Sequence, residues 1–325
     1  PETTGQQTSA TTSEKAVLFQ NMLYTNAYTN WDFSSENSVW AIEEGKTLPY
    51  LREVGKPESV NKTVYAGRYT EYSQGDGTID NPFEITNAQQ LQGIKNGLNL
   101  HYVVKNNIDL SEIANFEPIG DNRVQFTGSL DGNNYTISNL NINSSNQYVG
   151  LFGYVNGGTI KNLTLENAMV KSTYAYNGSN HGYIGGIAGA ITTNAIIENA
   201  HITGNNSNIV NEIPEGVTAT NTVYIGGITG YSNSNTNITN TNTNASVAGN
   251  TRNGHLYVGG LVGNNYSNST ITGSHATGNI SATTNATSTA SGQINAGGLV
   301  GESRGTITNS YAMGAIEANT ISGQI

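Results

Sequence analysis

The chain has 325 residues, of which 11% are charged and 35% hydrophobic, with a formal net charge of −10. That balance disfavours a nucleic-acid partner, which needs a basic face to release counterions, and disfavours docking on anionic lipid. Cysteine is absent, which suits a secreted or surface protein that avoids thiol chemistry, and no apolar run approaches a membrane span, so no membrane insertion is expected.

Charge is uneven: residues 1–125 hold 16 of the 23 acidic and 9 of the 13 basic residues, so two kinds of structure are expected. Residues 16–52 contain Trp31-Asp32-Phe33, Val39-Trp40-Ala41-Ile42 and Gly45-Lys-Thr-Leu-Pro-Tyr-Leu51, and hold both tryptophans. Residues 53–77 are polar, rich in glycine and charge, and read as a linker. Residues 78–130 read as an N-terminal cap and entry segment. A short strand ends at Ile85, and Thr86-Asn-Ala-Gln89 has the form of a capping box. Leu91, Ile94 and Leu98 then mark the apolar face of a short helix ending near Asn99. Strands at His101–Lys105 and Gln125–Leu130 follow. A helix in that place is positioned to cover the open end of a repeat stack, whose edge groups would otherwise pair further.

Residues 131–325 are periodic. A glycine signature recurs as Tyr148-Val-Gly-Leu-Phe-Gly153, Tyr183-Ile-Gly-Gly-Ile-Ala-Gly189, Tyr224-Ile-Gly-Gly-Ile-Thr-Gly230, Tyr257-Val-Gly-Gly-Leu-Val-Gly263 and Asn295-Ala-Gly-Gly-Leu-Val-Gly301. A second signature, of the type Thr159-Ile-Lys-Asn162, follows each. Aligned, these give columns: Ile137, Ile160, Ile197, Ile238, Ile271, Ile307; then Asn139, Asn162, Asn199, Asn240, Gly273, Asn309; then Ile142, Leu165, Ile202, Thr243, Ala276, Ala312. A coiled parallel sheet with strands about 4.8 Å apart stacks like on like. The Asn column reads as an in-register amide ladder, because an unpaired buried amide costs about 1–3 kcal/mol. Two or three short strands per period are expected, with insertions at Tyr174–Gly182, Ser207–Thr222 and Thr283–Gln293. Helices are disfavoured by glycine at about 1 kcal/mol each, and a propeller by the lack of regular hairpin pairs. The expected fold is all-β: a right-handed parallel β-helix (solenoid) with a short N-terminal cap containing one helix.

Gly259-Gly-Leu-Val-Gly263 and Gly305-Thr-Ile-Thr-Asn-Ser-Tyr-Ala-Met-Gly314 resemble the GLUG-motif repeat of bacterial surface adhesins and haemagglutinin-like proteins. That repeat is also found in non-catalytic parts of immunoglobulin-A-specific metallopeptidases. Asn81–Ile94, Ile108-Asp-Leu110, Pro118-Ile-Gly120 and Phe126–Gly132 resemble the segment that opens such an array, and Trp31–Leu51 the segment that closes one. The resemblance implies that residues 1–52 are the tail of a preceding repeat unit and residues 131–325 a GLUG-type array. Because the chain opens on Pro1 and Ile321–Ile325 read as mid-coil, it is expected to be a mature or excised piece, truncated at its C-terminus.

Residues that could carry chemistry are few. The metallopeptidase alternative needs His-Glu-x-x-His, and histidines 101, 181, 201, 255 and 275 contain no such pair. His201 and His275 share a column two coils apart, about 10 Å, too far for one metal. A polysaccharide-active β-helix enzyme would use clustered carboxylates, and the array offers Asp131, Glu166, Glu198, Glu212, Glu215, Glu302 and Glu317. Glu198 is expected to bridge to Lys161, while Glu212 and Glu215 flank Pro214 in a loop. Asp76, Asp80 and Glu84 are a calcium possibility without the spacing of an EF-hand loop. The Tyr148, Tyr183, Tyr224, Tyr257 column is either an exposed aromatic strip or a packing stack. The expectation is no catalytic, metal or cofactor residue, no cofactor, and no binding residue identifiable from sequence. The expected role is a non-catalytic structural or adhesive segment of a large extracellular or cell-surface protein. Its partner would be a host or neighbouring-cell protein or glycan, or further copies in a fibre.

Overall fold

The structure, a computed structural model, describes residues 33, 40–42, 50–51, 72, 74–175, 180–214, 222–284 and 292–320. The chain divides into two units, Pro1–Glu71 and Tyr72–Ile325, so the division falls inside the stretch read as a linker. In the first unit, Trp40–Ala41 pairs antiparallel with Tyr50–Leu51. The remainder of the proposed repeat tail lies outside the described residues.

The second unit is a parallel β-helix. From Tyr148 onward each coil supplies strands to four parallel sheets in a fixed order. The first sheet is Tyr148–Val149, Gly182–Gly185, Val223–Gly226, Leu256–Gly259 and Ile294–Gly297. The second is Phe152–Asn156, Ala188–Thr192, Thr229–Asn233, Val262–Asn265 and Val300–Ser303. The third, the longest, starts at Phe83–Ile85, His101–Val104 and Ser129–Asp131. It continues through Thr159–Glu166, Ile196–Thr203, Asn237–Thr239, Thr270–Thr272 and Thr306–Thr308. The fourth is Asn141–Ser144, Met169–Ser172, Asn208–Asn211, Ser246–Thr251, Ile280–Thr284 and Ile316–Thr320. More strands form per coil than the two or three expected, because short turns of two to four residues separate them. One insertion is also shorter than expected: Asn208–Asn211 is a strand of the fourth sheet, so the Ser207–Thr222 insertion begins only after Asn211.

The core follows from the register. Ile184, Ile225 and Val258 stack through successive coils of the first sheet, and Ile197, Ile238 and Ile271 through the third. All six are 0% exposed, and burying each such side chain contributes roughly 1.5–3 kcal/mol. The glycine signature occupies the turn between the first and second sheets. A Cβ added at Gly259 would lie 1.9 Å from the Val262 carbonyl oxygen, and one at Gly226 would lie 2.3 Å from that of Thr229. One at Gly263 would lie 2.5 Å from the Gly230 oxygen, one coil back. Backbone packs on backbone here, within and between coils, and only glycine leaves room for it.

Three expectations are corrected by this geometry. Ile137 pairs with Leu165, and Ile160 with Leu130; Ile142 pairs with Val170 in the fourth sheet. Ile137 therefore belongs to the column Ile108, Ile137, Leu165, Ile202, Thr243, Ala276, Ala312. The cause is a look-alike signature. The true partner of Thr159-Ile-Lys is Ser129-Leu-Asp, and Thr136-Ile-Ser lies beyond the corner, against Thr164-Leu-Glu, so alignment by signature picks the wrong strand.

The Asn column is not a buried ladder. Asn162, Asn199, Asn240, Gly273 and Asn309 have φ between 49° and 61° and share a left-handed corner on the outer surface of the third sheet, whereas Asn139, with φ 59°, stands at the next corner, beside Asn167. Asn and Gly are the residues that adopt this conformation readily. Amide pairing is local: Asn199 Nδ2 donates to Asn162 Oδ1 at 3.0 Å and Asn162 Nδ2 to Asp131 Oδ1 at 3.0 Å.

The capping box is displaced by one residue. Asn87 is the N-cap of a helix over Ala88–Gln92, its side chain accepting from the Gln90 amide at 2.9 Å. Gln90 Oε1 reaches back to the Thr86 amide at 2.7 Å. The helix tightens to a 3₁₀ turn at Gly93–Asn96. Leu91 and Ile94 are fully buried, as read from sequence, but the helical stretch ends at Asn96 rather than near Asn99, leaving Leu98 beyond it and only half-buried.

Candidate functional site

Of the carboxylates nominated from sequence, Asp76, Glu84, Asp131, Glu212, Glu302 and Glu317 each have partners of their own rather than one another. Lys161 aligns with both Asp131 and Glu198, but its ammonium pairs with Asp131 at 3.3 Å, not with Glu198 as expected. Glu212 pairs with Lys171, and Glu215 lies outside the described residues. Glu302 contacts Arg304 at 3.3 Å and accepts from Asn264 at 3.0 Å. Glu317 accepts from Asn319 at 2.8 Å. Asp76 accepts from the amide and hydroxyl of Thr78 at 2.9 and 2.7 Å, bonds that hold its carboxyl below the usual range. Glu84 pairs with Lys105 at 3.0 Å. Among the described residues no three His, Asp or Glu side chains are grouped as metal ligands. His201 and His275 are separated by Asn242 in their column, as expected, and His275 stacks on Tyr311 at 4.8 Å.

What the fold does assemble is an aromatic surface. Tyr148, Tyr183, Tyr224 and Tyr257 are in register. Alternation points the neighbouring Val149, Ile184, Ile225 and Val258 into the core and the tyrosines outward. Their rings stack at 4.8, 5.4 and 4.9 Å, within 20° of parallel. The glycine turn brings the second sheet alongside, adding Tyr154, stacked on Tyr148 at 5.0 Å. It also adds Tyr231, 5.5 and 5.6 Å from Tyr183 and Tyr224. His181 stands edge-on to Tyr183 and Tyr224 at 6.3 and 5.7 Å. The two readings of this column merge: the rings pack on one another, and the stack is half-exposed on the outside. Sequence reading missed Tyr154 and Tyr231, which occur only in alternate coils, with Ala190 between them in the column.

Packing sets the electrostatics. Burial, then the neighbouring phenol, pushes Tyr148 and Tyr224 up to about 12, and Tyr183, Tyr231 and Tyr257 also rise, chiefly through burial. Burial, then His255, holds His181 below the ordinary imidazole value. A raised phenol value means that the folded chain favours the protonated ring. That stabilisation is complete below the ordinary value of 10.0 and is lost as pH rises toward about 12. Alkaline titration followed by phenolate absorbance should therefore show a tyrosine fraction ionising late, with loss of β circular dichroism in the same window. A single transition at the ordinary value with the fold intact would contradict this.

The insertions flank the ladder. Three of them, around 173–181, 212–222 and 285–293, leave between the fourth and first sheets, as does the short turn before Leu256. Variable segments thus gather along one edge, next to the tyrosine sheet. Residues 176–179, 215–221 and 285–291 within them lie outside the described residues.

Parts of the chain are similar to known proteins. Residues 254–281 match the family described as the GLUG motif. A stretch of 142 residues, 40% of the chain, is 37% identical to Halomucin of Haloquadratum walsbyi, of which it spans 1%. A stretch of 150 residues, 42% of the chain, is 34% identical to a "Putative Gly-rich membrane protein" of Evansella cellulosilytica, of which it spans 16%. The chain thus corresponds to a small part of either relative. Among solved structures, one described as a "putative immunoglobulin A1 protease" from Bacteroides ovatus aligns over 78% of this chain and 81% of its own, with a TM-score of 0.48 and 20% identity. The chain is a structural β-repeat region: a parallel β-helix that carries a match to the GLUG motif at residues 254–281.

Proposed function

We propose that the chain is a non-catalytic segment of a large secreted or cell-surface protein, and that it presents the loop-bearing edge of its coils for adhesion to a protein or glycan on another cell. The observation carrying this reading is the segregation of insertions to a single edge. In repeat proteins insertions map to one face, often the binding face, because the stack tolerates length changes only where the chain leaves it. Among the described residues, Asp131, Glu212 and Glu302 each face a cation rather than a second carboxylate, which favours a non-catalytic role. The absence of cysteine suits an extracellular setting, and the relatives' names, Halomucin and a Gly-rich membrane protein, point the same way.

The test is a bead coated with the chain and presented to cells and to a glycan array. It is paired with a variant whose residues 212–222 are replaced by a short Gly-Ser turn. Attachment that falls at least tenfold in the variant, with circular dichroism unchanged, is the expected result. Attachment indifferent to the loop, or saturable turnover of a polysaccharide or peptide, would overturn the proposal.

A further inference from the structure

The tyrosine ladder is more regular than adhesion requires. Its four in-register rings and the two contributed by the second sheet form one continuous cluster, each ring within 5.6 Å of another. Because the rings stack face to face, their faces cover one another, and what remains open to solvent is a row of ring edges. That suits the ladder poorly to stacking against a flat ligand, but it leaves phenols of successive coils side by side and accessible.

We propose that this ladder is a site of oxidative tyrosine–tyrosine cross-linking between coils. The oxidant is a haem peroxidase acting with hydrogen peroxide. Each of two neighbouring phenols gives up one electron and its hydroxyl proton. The two phenoxyl radicals join through a new carbon–carbon bond between positions ortho to oxygen. Each ortho hydrogen then leaves as a proton while the phenol oxygen regains one. Two electrons and two protons are lost overall, and they reduce one hydrogen peroxide to two waters.

The fold favours this coupling within one chain. Parallel register holds Tyr148 against Tyr183, Tyr183 against Tyr224, and Tyr224 against Tyr257, so the radicals need no diffusional encounter. No thiol in the chain competes for the radical, since cysteine is absent. The product would staple consecutive coils covalently on the face beside the variable loops.

The test treats the full chain, dilute, with peroxidase and hydrogen peroxide. It follows dityrosine fluorescence, electrophoretic size and cross-linked peptides by mass spectrometry. The expected product is a monomer lighter by pairs of hydrogen atoms, with linked peptides joining adjacent ladder tyrosines and slower amide hydrogen exchange in the linked coils. Tyr183→Phe keeps the stacked ring but removes the phenol. In that variant the links of residue 183 to Tyr148 and Tyr224 should vanish while the Tyr224–Tyr257 link persists. Tyr311, 52% exposed and stacked only on His275 among the described rings, is the control for simple accessibility. A product linked mainly through Tyr311 between chains, or an oxidised monomer with no ladder cross-link, would overturn the proposal.

Discussion

Gly259→Ala should destabilise the array by upwards of ~3 kcal/mol, the high end for an overpacked site. The added methyl would stand 1.9 Å from the Val262 carbonyl oxygen, 2.7 Å from its carbon and 2.9 Å from the Gly301 nitrogen. None of these atoms belongs to a side chain that can swing away. Val262 is held by its pairing to Thr229 and Val300 on either side, and Gly301 lies in the next coil. Relief therefore requires two coils to part. Gly157→Ala is the contrasting case. Its φ of +72° costs a non-glycine residue about 1–2 kcal/mol, but the nearest atom to the new methyl is 3.3 Å away. Urea denaturation should separate the two variants clearly. Equal midpoints would mean that the glycine turn is not the close contact described.

Ile197→Ala should cost about 2–5 kcal/mol, while Ile307→Ala should cost much less, although the two occupy the same column. Ile197 is wholly buried, between Ile160 and Ile238, so its truncation leaves a cavity with stacked neighbours on both sides. Ile307 is 38% exposed and loses less contact. A stack of coils communicates through nearest neighbours, so one melting temperature for the whole chain is a poor readout. Amide hydrogen exchange resolved by coil is the better measurement. The loss of protection in Ile197→Ala should centre on residues 159–166, 196–203 and 237–239. Uniform loss along the array would show that the coils open as one unit instead.

The repeat was legible because coil stacking writes itself into the sequence as columns of like residues. Ile197, Ile238 and Ile271, the tyrosines, and the glycines at 185, 226 and 259 recur at intervals that only a stacked array requires. The first coil was misaligned because Thr136-Ile-Ser-Asn139 resembles Thr159-Ile-Lys-Asn162 more closely than does its true partner, Ser129-Leu-Asp. The role of the Asn column was misjudged because the determining property is backbone conformation. A left-handed corner and an amide ladder both select asparagine, and only Gly273, which has no amide, distinguished them in advance.

A buried polar pair was not legible at all. Val155 and Ile191 face inward in the second sheet, and their successors are the buried Ser232 and Asn265, followed by the exposed Ser303 of the last coil. There Ser232 donates to Asn265 at 2.8 Å, and Asn265 donates to Ser303 at 3.1 Å. Polar residues at an inward position read as loop chemistry until the partner in the next coil is known. The surface that combines Tyr148, Tyr154, Tyr183, Tyr224 and Tyr231 was half-visible. One column was regular, and the other became evident only when the turn brought the two sheets together.

The coil geometry also bears on reach. One coil consumes between 33 and 41 residues, the spacing of the paired tyrosine-sheet positions, yet advances the stack by only about 4.8 Å. The same residues in a single helix would span roughly 50 Å. Measured as a spacer, this architecture is among the least economical ways to hold something away from a cell. What each added coil does increase is flank: another rung of tyrosine, another corner and another site where a loop can lengthen without disturbing its neighbours. Duplication of the repeat would thus widen the area offered to the surroundings far more than it extends the molecule toward them.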